Sequence, residues 1–329
     1  MSFKRLVFAA LGLTFVVVVV GAYVRLHDAG LGCPDWPGCY GHLVGVPADS
    51  GEIERATQAF PDRPVEAHKA WKEMFHRYIA GALGVLLLAI MLIAWLRRRV
   101  SGESPWLPTM IVALVAVQAT LGMWTVTMLL KPVIVTLHLL GGMAILALLT
   151  WLALRQTALP RIGALARQLR PWAVAGLIIV FCQIALGGWV STNYAALVCL
   201  DFPTCQHAWL PAMDFRHGFQ LARELGMTAA GAPLALDALT AIHWAHRVGA
   251  LITFLYVGAF ALALMRTGGC ERMGGVLALL LAGQAALGIA NVMLTLPLPV
   301  AVAHNGGAAA LMTMMVVINF TLSRTGSPA

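Results

Sequence analysis

Charged side chains are scarce in this sequence. They make up 11% of its 329 residues, whereas a typical soluble domain carries about 25%. This shortage, together with a hydrophobic content of 60%, excludes an ordinary water-soluble domain and indicates a membrane protein. The net charge of +8 comes from basic residues in short segments between apolar runs. We therefore expect membrane lipid around the chain and no nucleic-acid partner.

Apolar runs long enough to cross a bilayer, which takes about 20 residues, occur eight times. They lie near residues 4–23, 74–96, 107–130, 133–154, 172–192, 241–265, 274–294 and 300–322. The first run follows Lys4 and Arg5 as the apolar part of a signal peptide would, but no small-residue cleavage site comes after it. The sequence therefore predicts an all-α integral membrane protein with eight transmembrane helices.

Basic residues between the runs predict the orientation. They precede the first run and follow the second, fourth, sixth and eighth, which places them all on one side of the membrane. Such a bias is typical of the cytoplasmic side. We expect a multi-pass protein of the cell inner membrane with both termini in the cytoplasm. The loops near 24–73 and 193–240 hold four of the six cysteines and then lie on the outer face, where disulfides can form.

The sequence contains an internal repeat. Matching segments at an offset of 166 residues are 33–39 with 199–205, 118–122 with 284–288, and His138 with His304, while His76-Arg77 matches His246-Arg247 at 170. Several matches in order at nearly one offset indicate a duplication. We predict two tandem, pseudo-symmetric four-helix bundles, residues 1–156 and 157–329, related by a pseudo-two-fold axis along the membrane normal.

Four of the ten histidines lie inside apolar runs, and they are the ones that repeat: His76, His138, His246 and His304. An ionisable residue at membrane depth predicts function, although a single buried histidine can simply bond to a neighbouring helix. All four fall in the outer third of their spans, so the two in each half can face each other across a bundle core. Zinc would need three or four ligands, often with cysteine. Two histidines per half fit axial ligation of haem iron better.

Glu73 distinguishes the two halves. It precedes His76 by three residues and shares its helix face, whereas the matching position in the second half is His243. We expect chemistry in the first half, with Glu73 accepting a proton or stabilising positive charge, and a permanent electron-carrying haem in the second. The alternative is a solvated Glu73 at the membrane surface. Arg77 and Arg247 each follow the first histidine of a pair, where they could bind a haem propionate or reach to the interface.

Two cysteine pairs lie in the outer loops, each with five residues between its members. They are Cys33 with Cys39, and Cys199 with Cys205. Either pair could be a structural disulfide or a redox-active pair that passes electrons outward. The sequence leaves both interpretations open.

These residues together resemble the haem A synthase family, and the resemblance spans the whole chain. It is carried by Val24-Arg25-Leu26, Ala29-Gly30-Leu31, Cys33-Pro34-Asp35-Trp36-Pro37 with Cys39, Glu73 with His76-Arg77, Thr136-Leu137-His138, His243 with His246-Arg247, and the His304 segment. Members of that family convert haem O to haem A by oxidising a ring methyl to a formyl group. The resemblance implies two successive hydroxylations through a hydroxymethyl stage, followed by loss of water.

The resemblance also assigns roles to individual residues. It implies that His76 and His138 hold the substrate haem with Glu73 beside the reacting methyl. His246 and His304 would then ligate a resident haem b that relays electrons.

By the same resemblance, Cys33 and Cys39 correspond to the family's first outer-loop disulfide. The pair Cys199 and Cys205 occurs in only some members. Partners implied by the resemblance are a second copy of the chain, haem O synthase and the assembly of cytochrome oxidase.

Three other functions fit part of the pattern. A non-catalytic dihaem b-type electron-transfer cytochrome would explain four histidines but has no need for Glu73. A disulfide-exchange enzyme would explain the cysteine pairs but leaves the histidines unused. A transporter would suit the duplication, but no pair of spans is strongly interrupted. The asymmetry between Glu73 and His243 favours the oxidising enzyme.

Overall fold

A computed structural model describes residues 2–158 and 162–324, and those residues form helices and loops without strands. Eight helices in this part of the chain are long and apolar enough to cross a membrane. They are numbered here α1 (Phe3–Leu26), α2 (Ala67–Ser101), α3 (Trp106–Thr127), α4 (Pro132–Arg155), α5 (Arg170–Thr192), α6 (Leu236–Met265), α7 (Glu271–Met293) and α8 (Leu298–Ser323). The predicted fold class, an all-α membrane protein with eight spans, is confirmed.

Two helices begin earlier than the apolar runs predict. Helix α2 begins at Ala67 rather than near 74, and α6 begins at Leu236 rather than near 241. A hydropathy criterion ends an apolar run at the first charged residues. Charged residues at the beginning of α2 are tolerated because they form ion pairs one helix turn apart. Nζ of Lys69 lies 2.8 Å from a Glu66 oxygen, and Nη2 of Arg77 lies 2.6 Å from a Glu73 oxygen. Glu73 and His76 therefore lie two to three turns inside the helix.

Helix contacts group the spans into two sets of four. In the first set α1 packs on α2 and α4, and α3 packs on the same two helices. The second set repeats this pattern, with α5 and α7 each packing on α6 and α8. Between the sets, α8 packs on α1 and α4, and α4 packs on α5. Exchanging the two sets leaves this pattern of contacts unchanged, as a pseudo-two-fold relation requires.

Backbone conformation repeats along with the helices. Non-glycine residues rarely adopt a left-handed conformation, but eight of the described ones do so in pairs separated by 166 residues. The pairs are Asp28 with Tyr194, Tyr40 with Gln206, Leu129 with Thr295, and Leu130 with Leu296. The last two pairs form the tight turns into α4 and α8. Such coincidence supports the interpretation of the chain as a duplication.

Two contacts join residues that are each other's equivalents in the repeat. Nη2 of Arg25 donates to the carbonyl oxygen of Ser191 at 2.7 Å, and the Tyr194 hydroxyl donates to Asp28 Oδ1 at 3.1 Å. Both pairs are separated by 166 residues. The Arg25 guanidinium also lies 4.2 Å from the centroid of the Tyr194 ring. Equivalent residues can touch only near the axis that relates two repeats, so these are the contacts expected beside a pseudo-two-fold axis.

Candidate functional site

Each of the four intramembrane histidines packs its ring against a glycine on the preceding span. A Cβ atom added to these glycines would lie between 2.9 and 3.3 Å from Cε1 of the facing ring. The pairs are His76 with Gly21, His138 with Gly122, His246 with Gly187, and His304 with Gly288. Only glycine lets a ring and a helix backbone approach so closely. The glycines, which sequence reasoning missed, themselves recur at an offset of 166 residues.

The two histidines of each half lie near each other. His138 is close enough to act electrostatically on His76, and His304 acts in the same way on His246. Among the described residues, no three side chains of His, Cys, Asp or Glu converge as a metal site. Each half therefore offers a pair of imidazoles, which can supply two axial ligands but not a tetrahedral shell.

The environment of the rings fits an axially ligated haem. All four histidine residues are partly buried within their bundles. Nδ1 is buried without a hydrogen-bond partner in His76, His138 and His304 within the described chain. A ligating histidine uses one ring nitrogen for iron and needs a partner for the other. The pairs therefore have the donor type and the number that two haems would require.

The Glu73 carboxylate is buried at the junction of α2 and the first cysteine loop. It is 5% exposed, so the alternative of a solvated carboxylate at the membrane surface is wrong. Oε2 accepts a hydrogen bond from the backbone N–H of Cys33 at 2.9 Å, and Oε1 accepts one from Nη2 of Arg77 at 2.6 Å. Glu73 thus ties the disulfide loop to the helix turn that carries His76.

Both predicted arginines hold the cysteine loops by their carbonyl oxygens. Nη1 of Arg77 donates to the carbonyls of Asp35 and Gly38. Arg247 donates to the carbonyls of Thr204 at 2.6 Å and Cys199 at 3.0 Å. Neither side chain reaches freely to the membrane interface. A guanidinium with several carbonyl partners fixes each loop over the outer end of its bundle.

His243 replaces Glu73 in the second half, as the offset predicts, but it contacts a different segment. Its Nδ1 lies 2.8 Å from the carbonyl oxygen of Ala195, in the single helical turn that follows α5. The side chain is 5% exposed. The second half therefore has no carboxylate at this position, and its cysteine loop is held to α6 by Arg247 and by the bond from Gln206 to Thr240.

The two cysteine pairs form disulfides, Cys33–Cys39 and Cys199–Cys205. Each loop is organised by the aspartate two residues after its first cysteine. Asp35 accepts from the N–H groups of Tyr40 and Gly41 at 2.7 and 2.8 Å. Asp201 accepts from those of Gln206 and His207 at 2.7 and 3.0 Å. The aspartate thus closes a loop whose ends the disulfide already joins.

Hydrogen bonds lower the pKa of Asp201 from 3.8 to about 2, and the Thr204 hydroxyl contributes most. Because the pKa is lowered on folding, the ionised carboxylate stabilises the loop above pH 3.8 and loses this effect as the pH falls through about 2. The loop is therefore expected to stay ordered across the pH range of a cell envelope.

Replacing Asp35 or Asp201 with alanine should make the corresponding disulfide easier to reduce. Asp35 accepts two hydrogen bonds within its loop and Asp201 accepts three, so the loop that loses them should open to a thiol reagent more often. The measurement is the reduction rate by dithiothreitol, followed by mass-tag alkylation. Asp62→Ala is the control, because Asp62 is exposed and lies outside the two segments that the disulfides close, 33–39 and 199–205. Equal rates in all three variants would contradict the role of the aspartates.

Replacing Gly288 with valine should displace the His304 ring and loosen the second half. The added Cβ would lie 3.1 Å from Cε1 of that ring, and overpacking of this kind costs about 1–3 kcal/mol. Gly283→Val in the same helix is the matched control, because a Cβ there meets nothing within 4 Å. Thermal unfolding in detergent should show a lower midpoint for Gly288→Val only. Equal midpoints would show that the contact is not tight.

Comparison with known proteins agrees with this geometry. A family model described as "COX15-CtaA: Cytochrome oxidase assembly protein" matches residues 4–316. A protein of Shewanella oneidensis named "Heme A synthase" is 44% identical over 313 residues, covering 94% of this chain and 93% of its own. A protein of the same name from Caulobacter sp. (strain K31) is 29% identical over 338 residues, covering 95% and 93%. The chain therefore belongs to the cytochrome oxidase assembly family COX15-CtaA.

Proposed function

We propose that this chain is a haem A synthase that oxidises the ring methyl of haem O to a formyl group by successive hydroxylations. The observation that carries the proposal is the pair of equivalent histidine sites, of which only one has a buried carboxylate three residues from its ligand. The name Heme A synthase, carried by relatives at up to 44% identity among those compared, supports the reaction proposed.

In this proposal residues 1–156 form the reacting half. His76 and His138 hold haem O as substrate, and Glu73 lies near the methyl that is oxidised. A buried carboxylate next to a reacting carbon can accept a proton or stabilise developing positive charge. Because Glu73 is bonded to the backbone of Cys33, its position depends on the first disulfide loop.

Residues 157–329 form the electron-carrying half. His246 and His304 would hold a resident haem b, which supplies one-electron transfer to the reacting half. Nε of Arg247 is buried without a partner among the described residues, so it can donate to a haem propionate. Arg77 occupies the same place in the first half, where we assign it to the substrate haem.

The membrane setting completes the proposal. We place both termini in the cytoplasm and the disulfide loops on the outer face of the cell inner membrane, following the distribution of basic residues. Membrane lipid surrounds the eight spans. Association with a second copy of the chain and with haem O synthase would let a sparingly soluble substrate pass directly between proteins.

The experiment that tests the function is identification of the haems in the purified protein, produced in cells that make haem O. Extraction, chromatography and mass measurement should find haem B together with haem O and haem A. Two haem B per chain and no haem A would overturn the proposal and leave a non-catalytic dihaem b-type electron-transfer cytochrome. Production in cells lacking haem O synthase is the control, since haem A should then be absent.

A further inference from the structure

Three glutamines stand one helix turn before three of the glycines that face a histidine ring. They belong to the repeated pattern Gln-x-x-Leu-Gly, at 118–122, 183–187 and 284–288. The fourth copy, in α1, reads Val17-x-x-Val20-Gly21 and has no glutamine. One of the four histidine sites therefore differs from the others in a side chain that can hydrogen-bond.

Gln183 contacts the ring of His246 directly. Its Nε2 atom lies 2.9 Å from Nδ1 of that ring and donates to the backbone carbonyl of the same residue at 3.0 Å. Its Oε1 atom is buried and has no partner among the described residues. A half-turn of the amide exchanges the two atoms and brings the oxygen to Nδ1, where it can accept a hydrogen bond from the ring N–H.

The other two glutamines occupy equivalent positions. Nε2 of Gln284 lies 3.5 Å from Nε2 of the His304 ring, and its Oε1 is buried without a partner in the described chain. Gln118 is buried, its amide lies against Gly141, one turn after His138, and its Nε2 likewise lacks a partner among the described residues. Each of these glutamines therefore has an unused amide atom near a ligand ring.

A second glycine makes room for each glutamine. It lies three residues after the histidine, and a Cβ atom added there would overlap the glutamine amide. The pairs are Gly141 with Gln118, Gly249 with Gln183, and Gly307 with Gln284. In the first half the equivalent of this glycine is Ile79, three residues after His76. At His76, alone among the four histidines, the glutamine and the second glycine are both replaced by aliphatic residues, Val17 and Ile79.

We propose that Gln118, Gln183 and Gln284 are positioning residues. Each fixes the ring orientation of one haem-ligating histidine, which is then called locked, and His76, which has no such glutamine, is the ligand that dissociates from haem. This rests on the proposed function, since it requires a haem in each half. With both ligands locked, the second half keeps its haem permanently. With one ligand unlocked, the first half can exchange haem O for haem A by opening on the His76 side.

The physical basis is the hydrogen bond to Nδ1. A partner on that nitrogen fixes the ring orientation and keeps Nε2 free for iron, and it makes the imidazole a stronger ligand. Loss of such an outer-shell partner commonly lowers metal affinity by about 10- to 100-fold. Nδ1 is buried without a hydrogen bond in His76, and also in His138 and His304, within the described chain. Beside His138 and His304 stands a glutamine with an unpartnered amide atom that could bond to the ring, whereas His76 has only the aliphatic Val17 and Ile79 at the equivalent positions.

The first test removes the glutamine amide beside His246, a proposed ligand of the resident haem b. Gln183→Leu keeps the side-chain volume but cannot bond to His246, and Val17→Leu at the equivalent position of α1 is the matched control. Haem loss from purified protein to an excess of apo-globin is followed by absorbance at the Soret band. We expect release of haem b about 10- to 100-fold faster for Gln183→Leu, with unchanged release for Val17→Leu. Equal rates in wild type and Gln183→Leu would overturn the proposal.

The second test introduces a glutamine beside His76, where the natural sequence has none. Val17→Gln combined with Ile79→Gly reproduces the second-half arrangement around His76. Haem O should then leave the first half more slowly, and its low-spin electron paramagnetic resonance signal should approach that of the second half. Unchanged release and an unchanged signal would overturn the role assigned to His76. If haem binding by the protein does not depend on these histidines, the proposed function itself is overturned instead.

Discussion

Replacing Glu73 with glutamine is expected to lower haem A formation by at least about a hundredfold, the smaller end of what a positioned acid or base contributes. Haem O should still bind. Glutamine keeps an oxygen that can accept the hydrogen bond from the Cys33 backbone, which Glu73 accepts at 2.9 Å. The disulfide loop should therefore stay in place while the negative charge is lost. The measurement is the ratio of haem A to haem O extracted from the purified variant.

Glu66→Gln is the matched control for this variant. Glu66 immediately precedes the same helix and is exposed, and its carboxylate pairs only with Lys69 in the contacts described. The control should keep the wild-type ratio of the two haems. If Glu73→Gln also keeps that ratio, the carboxylate takes no part in the chemistry. Its function would then be limited to holding the loop, and only Glu73→Ala would affect the protein.

Replacing His246 or His304 with alanine is expected to remove the resident haem b. Loss of an axial ligand should exceed the about 10- to 100-fold fall in affinity that follows loss of an outer-shell partner. Haem B per chain should therefore drop sharply, while haem O stays bound in the first half but is not oxidised. The pyridine haemochrome spectrum and haem extraction together give these two quantities.

His207→Ala is the control for these histidine variants, because His207 is exposed in the second cysteine loop. The reciprocal variant His138→Ala should lose haem O and keep haem B. If the variants of both halves lose the same haem, the assignment of substrate and resident haem to separate halves is wrong.

The outline of the fold can be predicted from the sequence because a bilayer imposes a length on each apolar run. The beginnings of α2 and α6 could not be predicted in this way. Glu66, Lys69, Glu73 and Arg77 neutralise one another within the helix, and hydropathy counts each charge without its partner. The same pairing explains why Glu73 is buried by the cysteine loop although it stands among charged residues.

The four histidines could be found from the sequence, but the groups around them could not. Their helices are apolar on every face, so no amphipathic stripe shows which side points inward. The rotation that sets Gly187 against His246, and Gln183 beside the same ring, depends on how whole helices pack. The repeated Gln-x-x-Leu-Gly pattern was visible in the sequence, whereas its contact with a histidine of another helix required the structure.

The contacts of Arg25 with Ser191 and of Asp28 with Tyr194 have a consequence for how the two halves can associate. In a true symmetric dimer a residue on the axis faces its own copy. Two copies of the first half would set arginine against arginine and aspartate against aspartate, whereas two copies of the second would offer neither charge. A single continuous chain allows opposite residues at these positions to be complementary. These contacts therefore favour pairing of the two different halves over pairing of two copies of either one.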